Sequence, residues 1–422
     1  MRNFYSIIFY LLIPFILLRL LWRSIKAPAY RCRWLERLGF YKKSSPQNVL
    51  WFHAVSVGEA EALFPLIWHI QKHHPAAKLL ITTTTPTGSE RVKSVLSDSV
   101  THVYLPYDVP FAVNRFINCF KPKLAVIMET EIWPNLLISC GENEIPLYII
   151  NARLSESSSR RYQLIPNIIH QAFAKINGIA TQTQEDTNRF IKIGASKEKV
   201  KTLGNIKFDV EIPEATINHG LTIKADVFTD RFVWVIASTH KDEELIFLEI
   251  YQDIKKEIPE LLMVIVPRHP ERFSDVKKLC EKQSVSVVMR SSGNLINSET
   301  DVYLVDTMGE LKALYAAADI AFVGGSMVPT GGHNILEAAA VGAPVIFGPY
   351  MANFKAIADG VISDNAAIQC QNAQEIILTV LALYKEQSYR VALAENGKAF
   401  VLKNQGAITK ICEMLEQTNS FS

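Results

Sequence analysis

From residue 49 onward, short runs rich in Val, Ile and Leu alternate with stretches whose apolar positions recur at helical spacing. Continuous apolar runs separated by helical patterns are typical of parallel strands covered on both faces. The predicted strands of the first half are residues 49–55, 78–85, 102–107, 124–128, 146–151 and 178–183. The rhythm restarts after residue 230, with predicted strands at 232–238, 261–267, 285–289, 302–306, 320–325 and 344–348. The pattern predicts an α/β protein with two Rossmann-like, doubly wound domains.

The boundary between these domains is predicted at residues 211–230, a polar segment with one proline and little periodicity. We interpret it as a linker between an N-terminal domain at 45–210 and a C-terminal domain at 231–422. Two doubly wound sheets are expected to bind ligands in a cleft that the carboxyl ends of their strands face. Residues that carry chemistry should therefore follow directly after predicted strands.

The chain starts with a strongly apolar segment, since residues 4–18 carry no charge. Eight basic residues and a single acid, Glu36, lie between positions 19 and 43. This flank predicts a membrane anchor at 1–25, crossing the bilayer or lying along it, with the remaining chain on the cytoplasmic side near anionic headgroups. A cleaved signal peptide is disfavoured because only Arg2 precedes the apolar run. A buried core helix is disfavoured because aromatic residues and arginines collect at one end, as at membrane interfaces.

Composition narrows the possible functions. Apolar residues make up 49% of the 422 positions, so a disordered or collagen-like chain is excluded. The 44 Lys and Arg residues nearly balance the 42 Asp and Glu residues, for a formal charge of +2, so no nucleic-acid partner is predicted. The six cysteines form no CxxC pair or His/Cys cluster with metal-ligand spacing, so neither a disulfide framework nor a metal site is predicted.

Two single charged residues of the first half are candidates for chemistry. Glu59 opens a predicted helix after the first strand, where an acid can act in catalysis or simply complement the helix dipole. Lys207, in the segment 204–209 before the predicted linker, could neutralise a phosphate or carboxylate or be an ordinary surface lysine.

A pair of acids, Glu129 and Glu131, follows the apolar strand 124–128. If the strand continued, alternation would place both carboxylates on the same side, and burial or mutual repulsion would raise one pKa. A solvated loop pair is the alternative. The position directly after a buried strand favours a functional role.

The strongest local signal in the second half is the segment 324–337, in which two glycine pairs follow a strand and a helix is predicted to start near Asn334. Bare backbone amides and the positive helix end would converge there on a cradle for an anion. The spacing matches neither a Walker A motif nor GxGxxG, which disfavours NTPase and dinucleotide-binding functions. Glu337 could cap the helix or accept ribose hydroxyls, and His333 is interpreted as a turn residue.

Two further segments, 267–270 and 306–310, also follow predicted strands. Arg268 offers a planar fork for a phosphate or carboxylate, or is a structural ion-pair partner. Gly309 would let backbone groups approach the edge of a base. Three such segments in one half indicate nucleotide binding.

Taken together, these motifs resemble those of the 3-deoxy-D-manno-octulosonic acid (Kdo) transferase family, the lipid A glycosyltransferases of Gram-negative bacteria. The likeness runs in order from the N-terminal anchor to the final helices. The segments that carry it are SVGE at 56–59, TPTGSER at 85–91, METEIWPN at 128–135, NARLS at 151–155, GNIKFD at 204–209, VPRHPERF at 266–273, DTMGEL at 306–311 and GGSMVPTGGHNILEAAA at 324–340.

The resemblance implies the glycosyltransferase B fold and transfer of Kdo from CMP-Kdo to the lipid A precursor lipid IVA at the cytoplasmic face of the inner membrane. The implied reaction is inverting and uses no metal or cofactor. Glu59 would be the general base, and Glu129 and Lys207 would stabilise the transition state. The residues that would hold CMP are Pro267, Arg268, Met308, Gly309, Glu310, Asn334, Ile335, Leu336 and Glu337.

Fold alone does not determine function, so two alternatives stay open. One is another sugar-nucleotide enzyme of the same fold, either an epimerase or a different glycosyltransferase. The other is a non-enzymatic membrane scaffold, for which replacement of Glu59 would be harmless. The motifs do not distinguish transfer of one Kdo unit from transfer of several.

Overall fold

The computed structural model describes residues 2–42, 44–418 and 420–421, which form two compact units. One unit runs through Asp209 and also takes in the chain from Gln405 onward. The other unit runs from Val210 to Asn404. Each unit is built around its own seven-stranded parallel sheet.

The sheet of the first unit is covered by helices on both faces. Its strands are β1 Leu50–His53, β2 Leu79–Thr83, β3 Thr101–Tyr104, β4 Leu124–Met128, β5 Leu147–Ala152, β6 Gly178–Thr181 and β7 Val200–Thr202, in the spatial order β3-β2-β1-β4-β5-β6-β7. The helices up to residue 192 are α1 Arg2–Lys26, α2 Trp34–Arg37, α3 Val57–His73, α4 Pro86–Leu96, α5 Pro110–Phe120, α6 Pro134–Glu142, α7 Glu156–Tyr162, α8 Pro166–Ala174 and α9 Gln184–Lys192. Trp51 and Phe52 are adjacent in β1 and fully buried in different apolar clusters. This is the arrangement expected of a strand buried on both faces.

Helices in this unit start close to the carboxyl ends of strands. Helices α4, α5, α6 and α8 each begin with proline, whose fixed φ and missing N–H suit the first helical position. Helix α3 instead begins with a side-chain cap from Ser56. Helix starts and strand ends therefore meet at one edge of the sheet, where ligands of doubly wound folds bind.

The second unit repeats this plan. Its strands are β8 Phe232–Thr239, β9 Leu261–Pro267, β10 Val287–Met289, β11 Val302–Leu304, β12 Ile320–Val323, β13 Val345–Phe347 and β14 Ile368–Gln369, in the order β10-β11-β9-β8-β12-β13-β14. Its helices are α10 Glu214–Ile223, α11 Glu243–Glu257, α12 Phe273–Lys282, α13 Leu311–Ala316, α14 Leu336–Ala340, α15 Lys355–Ser363, α16 Ala373–Lys385 and α17 Gln387–Asn404. The ends of β11, β9, β8 and β12 are neighbours, so the loops that follow them share one edge.

Each of the predicted strands overlaps an observed strand, which confirms the α/β class and the two sheets. Strands β7 and β14 were not predicted. They are edge strands of three and two residues. Such short segments carry too few side chains to show a pattern.

The predicted linker at 211–230 differs from the structure, in which this segment belongs to the second unit. It forms α10 and a π-helix at Lys224–Phe228. A Cβ at Gly220 would stand 2.2 Å from the Ala313 carbonyl oxygen, so α10 packs against α13 through a glycine rather than through an apolar stripe. That close approach explains why the hydrophobic pattern did not show a helix.

The predicted end of the second domain also differs. Helix α18, Ala407–Glu416, packs against α3 of the first unit, where Ile411 and Leu415 are fully buried. The Asp209 carboxylate accepts hydrogen bonds from the backbone N–H groups of Gly406 and Ile408 and so holds the start of α18. An amphipathic helix fits either core by its pattern alone, so position along the chain suggested the wrong partner.

Helix α1 is long and apolar enough to cross a membrane, by length and composition. Its start and the segment that follows the helix are nevertheless attached to the first unit. At its start, Arg2 Nε donates to Asn135 Oδ1 at 3.2 Å and Tyr5 Oη donates to Asp108 Oδ2 at 2.9 Å. In the segment after it, Arg37 at the end of α2 is buried and donates from Nη2 to the Thr84 carbonyl oxygen at 2.9 Å.

Candidate active site

Glu59 lies in the first turn of α3, directly after β1. Its Oε2 accepts a hydrogen bond from the Val55 N–H at 2.8 Å and its Oε1 accepts one from Ser56 Oγ at 3.1 Å. The Ser56 hydroxyl in turn accepts from the Glu59 N–H at 3.3 Å. This is a capping box in which the acid accepts from the residue before the N-cap, and it fixes the position of the carboxylate at the start of the helix.

The environment of Glu59 favours its protonated form. Burial raises the pKa of the carboxyl from 4.5 to about 7, the negative charges of Glu129 and Glu131 act in the same direction, and the hydrogen bonds from Val55 and Ser56 oppose the shift. Ordinary helix capping would lower the pKa, because the helix dipole and N–H donors stabilise a carboxylate. A raised pKa near neutrality is characteristic of acid–base groups at active sites.

Glu129 is held in a strained backbone conformation. Its φ of 55° lies in the left-handed region, which non-glycine residues rarely adopt. The side chain is almost buried, and its Oε2 accepts a hydrogen bond from Arg153 Nε at 2.7 Å. Since β4 ends at Met128 and the backbone turns at Glu129, the strand alternation considered for Glu129 and Glu131 does not extend to them.

Glu131 is turned toward an aromatic side chain. Its Oε2 accepts a hydrogen bond from Trp133 Nε1 at 2.7 Å. Burial raises its pKa, the hydrogen bond from Trp133 lowers it, and the charge of Glu129 raises it. The pair is therefore neither solvated nor equivalent, since each acid has its own partner.

Lys207 lies on a short 3₁₀ turn at Ile206–Phe208. Burial lowers the pKa of its ammonium group, whereas the charges of Glu129 and Glu59 raise it. The turn is held by Asn151, which is fully buried, has a φ of 51° and accepts a hydrogen bond at Oδ1 from the Ile206 N–H at 3.1 Å. The structure thus brings the predicted residues Glu59, Glu129 and Lys207 close enough to influence one another's charge.

In the second unit, the loop after β12 binds a buried carboxylate of the protein itself. Glu243 is fully buried, and its carboxylate accepts hydrogen bonds from the N–H groups of Gly325 at 2.7 Å, Ser326 at 3.1 Å and Met327 at 2.9 Å. A Cβ at Gly324 would stand 2.5 Å from the Ala237 carbonyl oxygen. These amides are therefore not free to bind a ligand as predicted, because the N–H groups of Gly325, Ser326 and Met327 already bind the protein's own carboxylate.

The second glycine pair, Gly331 and Gly332, is followed by His333, which contacts His240. The Nε2 atoms of His240 and His333 lie 2.8 Å apart, and their rings are nearly parallel. Burial lowers the pKa of His333 to about 4, with the charge of Arg268 acting in the same direction. Burial also lowers the pKa of His240. The charged form is therefore disfavoured on both rings, and a ring N–H of one histidine can donate to the ring nitrogen of the other.

The remaining nucleotide-site candidates follow adjacent strands of the second sheet. Pro267 ends β9, and Arg268 follows it with an exposed side chain. Met308 is 61% exposed, and Gly309 has a φ of 91°. Apart from the chain neighbours of Gly309, no atom of the described residues lies within 4 Å of the place a Cβ would occupy. The Glu310 carboxylate accepts a hydrogen bond from Arg290 Nη2 at 2.9 Å, which lowers its pKa.

At the start of α14, the Asn334 side chain accepts a hydrogen bond from the Leu336 N–H at 3.1 Å. The side chains of Ile335 and Leu336 are buried, so only their backbone groups can meet a ligand. Glu337 is half-buried in the first turn of the helix. The helix begins two residues after the predicted start at Asn334.

Sequence reasoning gave no role to Asn151, Arg153, His240 or Glu243. Asn151, Arg153 and His240 lie at the end of an apolar strand or directly after one, so the criterion that found Glu129 and Arg268 also applies to them. Glu243 opens α11 after β8, as Glu59 lies in the first turn of α3 after β1. Their partners are distant in the chain, and no local pattern shows which carboxylate, amide or imidazole they meet.

Comparisons with known proteins give a consistent result. Residues 32–210 match the family described as 3-Deoxy-D-manno-octulosonic-acid transferase (kdotransferase), and residues 240–400 match the family described as Glycosyl transferases group 1. The chain is 39% identical over 418 residues to the 3-deoxy-D-manno-octulosonic acid transferase of Haemophilus influenzae, with 98% of each chain covered. It is 34% identical over 376 residues to that of Bordetella pertussis, with 87% of this chain and 86% of the relative covered.

Two solved structures are also similar. UDP-GlcNAc 2-epimerase from Neisseria meningitidis matches with a TM-score of 0.56 and 18% identity, covering 87% of this chain and 99% of the epimerase, which is a likeness of fold. The C-terminal CMP-Kdo binding domain of WaaA from Acinetobacter baumannii is 36% identical, with a TM-score of 0.43, and covers 45% of this chain and 99% of that domain.

Proposed function

The chain belongs to the 3-deoxy-D-manno-octulosonic acid (Kdo) transferase family and is a glycosyltransferase of the glycosyltransferase B fold class, and we propose that it transfers Kdo from CMP-Kdo to the lipid A precursor lipid IVA. In the proposed reaction Glu59 is the general base and the configuration at the anomeric carbon is inverted. The observation that carries this proposal is the Glu59 carboxyl, whose pKa of about 7 lies at the operating pH of a general base.

Glu59 would remove the proton from the acceptor hydroxyl. A pKa near neutral pH leaves part of the enzyme with Glu59 as a carboxylate, which balances availability against basicity. The capping box limits rotation of the side chain, so the reactive oxygen is positioned before substrate arrives.

Lys207 and Glu129 would assist from beside the base. A partly desolvated ammonium at Lys207 can stabilise negative charge that develops in the transition state. Glu129 attracts this ammonium and binds Arg153, so it would keep both cations in place. Its strained backbone supports a functional role, since such strain persists where the surrounding structure imposes it.

The second unit would bind the donor through Pro267, Arg268, Met308, Gly309, Glu310, Asn334, Ile335, Leu336 and Glu337. The exposed guanidinium of Arg268 suits the CMP phosphate, and the open surface at Met308 and Gly309 suits a flat base. We propose that no metal or cofactor takes part, because the exposed guanidinium of Arg268 can supply positive charge to the departing phosphate.

The acceptor would be taken from the membrane. Helix α1 and the basic residues that follow it would anchor the protein to anionic headgroups at the cytoplasmic face of the inner membrane. An anchored enzyme can reach the sugar of an amphiphilic acceptor while its acyl chains stay in an apolar phase.

The test uses the purified protein with CMP-Kdo and a tetraacylated disaccharide bisphosphate in detergent. We expect a lipid product heavier by one or more Kdo units in the mass spectrum, and a far smaller yield of it over the same time with the Glu59→Gln variant. Intact donor and unchanged acceptor, from protein that is folded by circular dichroism, would overturn the proposal. Release of free Kdo without a lipid product would indicate hydrolysis and would contradict the assigned acceptor.

A further inference from the structure

A cavity of about 300 Å³ lies in the first unit, next to the carboxylates but outside the residues given roles above. Its lining is mostly apolar and comes from three places in the chain: α1, the loop after β4, and the segment around α8. The lining residues are Tyr5, Thr130, Glu131, Ile132, Trp133, Pro134, Tyr162, Ile165 and Ile169.

Part of the cavity lining is polar and belongs to the loop that carries the acids of the candidate active site. Glu131 belongs to this part of the lining. It lies just after β4, which pairs with β1, and Glu59 lies just after β1, so both acids are at the same edge of the sheet. The charge of Glu131 also helps to raise the pKa of Glu59. The indole of Trp133 donates to Glu131 and thereby presents its apolar ring as a wall. A molecule that fills the cavity and extends past Glu131 would reach the proposed base.

Helix α1, which is long and apolar enough to cross a membrane, also contributes to the cavity lining. Tyr5 brings α1 to the cavity, and its bond to the buried Asp108 fixes that part of the helix. The neighbouring side chains Phe4 and Ile8 are 65% and 40% exposed. Tyr5 is therefore the α1 residue at the cavity, on a helix that also exposes apolar side chains.

We propose that this cavity binds one acyl chain of the lipid acceptor, with the sugar of the acceptor held at Glu59. The inference rests on the transferase function proposed above. The amphiphile fits the site because its polar head would meet the carboxylate and ammonium groups, while its chain would follow the apolar lining toward α1. The enclosing side chains would also set the length of chain that the enzyme prefers.

The test compares two substitutions at adjacent residues. Ile165 lines the cavity and is 40% exposed, whereas Leu164 does not line it and is 80% exposed. Ile165→Glu places a charge in the cavity, and Leu164→Glu adds the same charge beside it. Ile165→Trp is a second variant that fills the space without a charge. Kdo transfer is measured in detergent with the same disaccharide carrying either long or short acyl chains.

We expect Ile165→Glu and Ile165→Trp to raise the KM for the long-chain acceptor by about tenfold or more, as for other changes in apolar substrate pockets. The KM for the short-chain acceptor and for CMP-Kdo should stay unchanged, and Leu164→Glu should match the parent enzyme. Circular dichroism and thermal melting check that the variants are folded.

Three results would overturn the inference. If both Ile165 variants affect long-chain and short-chain acceptors equally, the cavity does not bind the chain. If Leu164→Glu and Ile165→Glu reduce transfer alike, the segment contacts the surrounding bilayer or micelle rather than the substrate chain. If the unmodified protein transfers no Kdo to either acceptor, the proposed function fails first, a result distinct from the other two.

Discussion

Replacing Glu59 by Gln removes the proposed base with almost no change in shape. The amide oxygen can still accept the hydrogen bond that the Val55 N–H donates at 2.8 Å, so the start of α3 should persist. Glu61 provides a matched control two residues later, since its carboxylate pairs with Arg91 at the surface. The Glu61→Gln variant changes the same net charge on the same helix.

The expected magnitude follows from the pKa of the base. A rise from 4.5 to about 7 corresponds to about 3 kcal/mol of disfavoured ionisation, which makes the Glu59 carboxylate a stronger base than an ordinary Glu. General base catalysis typically contributes a factor of about 10² to 10⁴, or roughly 3 to 5 kcal/mol of transition-state stabilisation. We therefore expect Glu59→Gln to lower kcat/KM by this factor, with little change in CMP binding.

The assay is the pH dependence of Kdo transfer. The base acts when unprotonated, so kcat/KM should rise with pH, with a midpoint at about 7, and then level off. Glu131→Gln removes a negative charge that raises the pKa of Glu59, so its midpoint should move to lower pH. The reasoning is refuted if Glu59→Gln keeps more than about a tenth of the parent activity, or if the parent profile is flat from acid to alkaline pH.

Other expected outcomes address the remaining parts of the molecule. Lys207→Met should lower kcat by about 10²-fold, as for loss of one preorganised donor. The control is Lys201→Met, at an exposed position of β7, which should leave the rate unchanged in the same transfer assay. Glu243→Gln should destabilise the second unit by about 1 to 3 kcal/mol and raise the KM for CMP-Kdo. The reason is that three loop N–H groups lose a charged acceptor. Unchanged thermal melting would contradict this. Asn3→Cys and the native Cys32, both exposed, should react with a membrane-impermeant maleimide from the same side of sealed vesicles. The reason is that hydrogen bonds of Tyr5 and Arg33 attach the start of α1 and the segment after it to the first unit. Labelling from opposite sides would show that α1 crosses the bilayer.

Much of the fold could be predicted because it depends on short-range patterns. Apolar runs such as 124–128 and 261–267 are buried on both faces and have no other simple interpretation. Polar residues directly after such runs, including Glu129 and Arg268, were found by the rule that parallel sheets bind ligands at their carboxyl edge. The motifs in sequence order identified the family, and the comparisons confirm it.

What could not be predicted depends on contacts between distant residues. The Glu243 carboxylate occupies the amides of Gly325 and Met327, although some 80 residues separate them. The attachment of α18 to the first unit rests on Asp209, nearly 200 residues away. The raised pKa of Glu59 comes mainly from burial, which a sequence pattern does not measure.

The central claim is a direct displacement in which Glu59 activates the acceptor hydroxyl against the anomeric carbon of the donor. NMR of the purified product, compared with CMP-Kdo, reports the configuration at that carbon. The account predicts the opposite configuration in the product, with no covalent enzyme intermediate detected by mass spectrometry. Retention of the donor configuration would contradict the role assigned to Glu59.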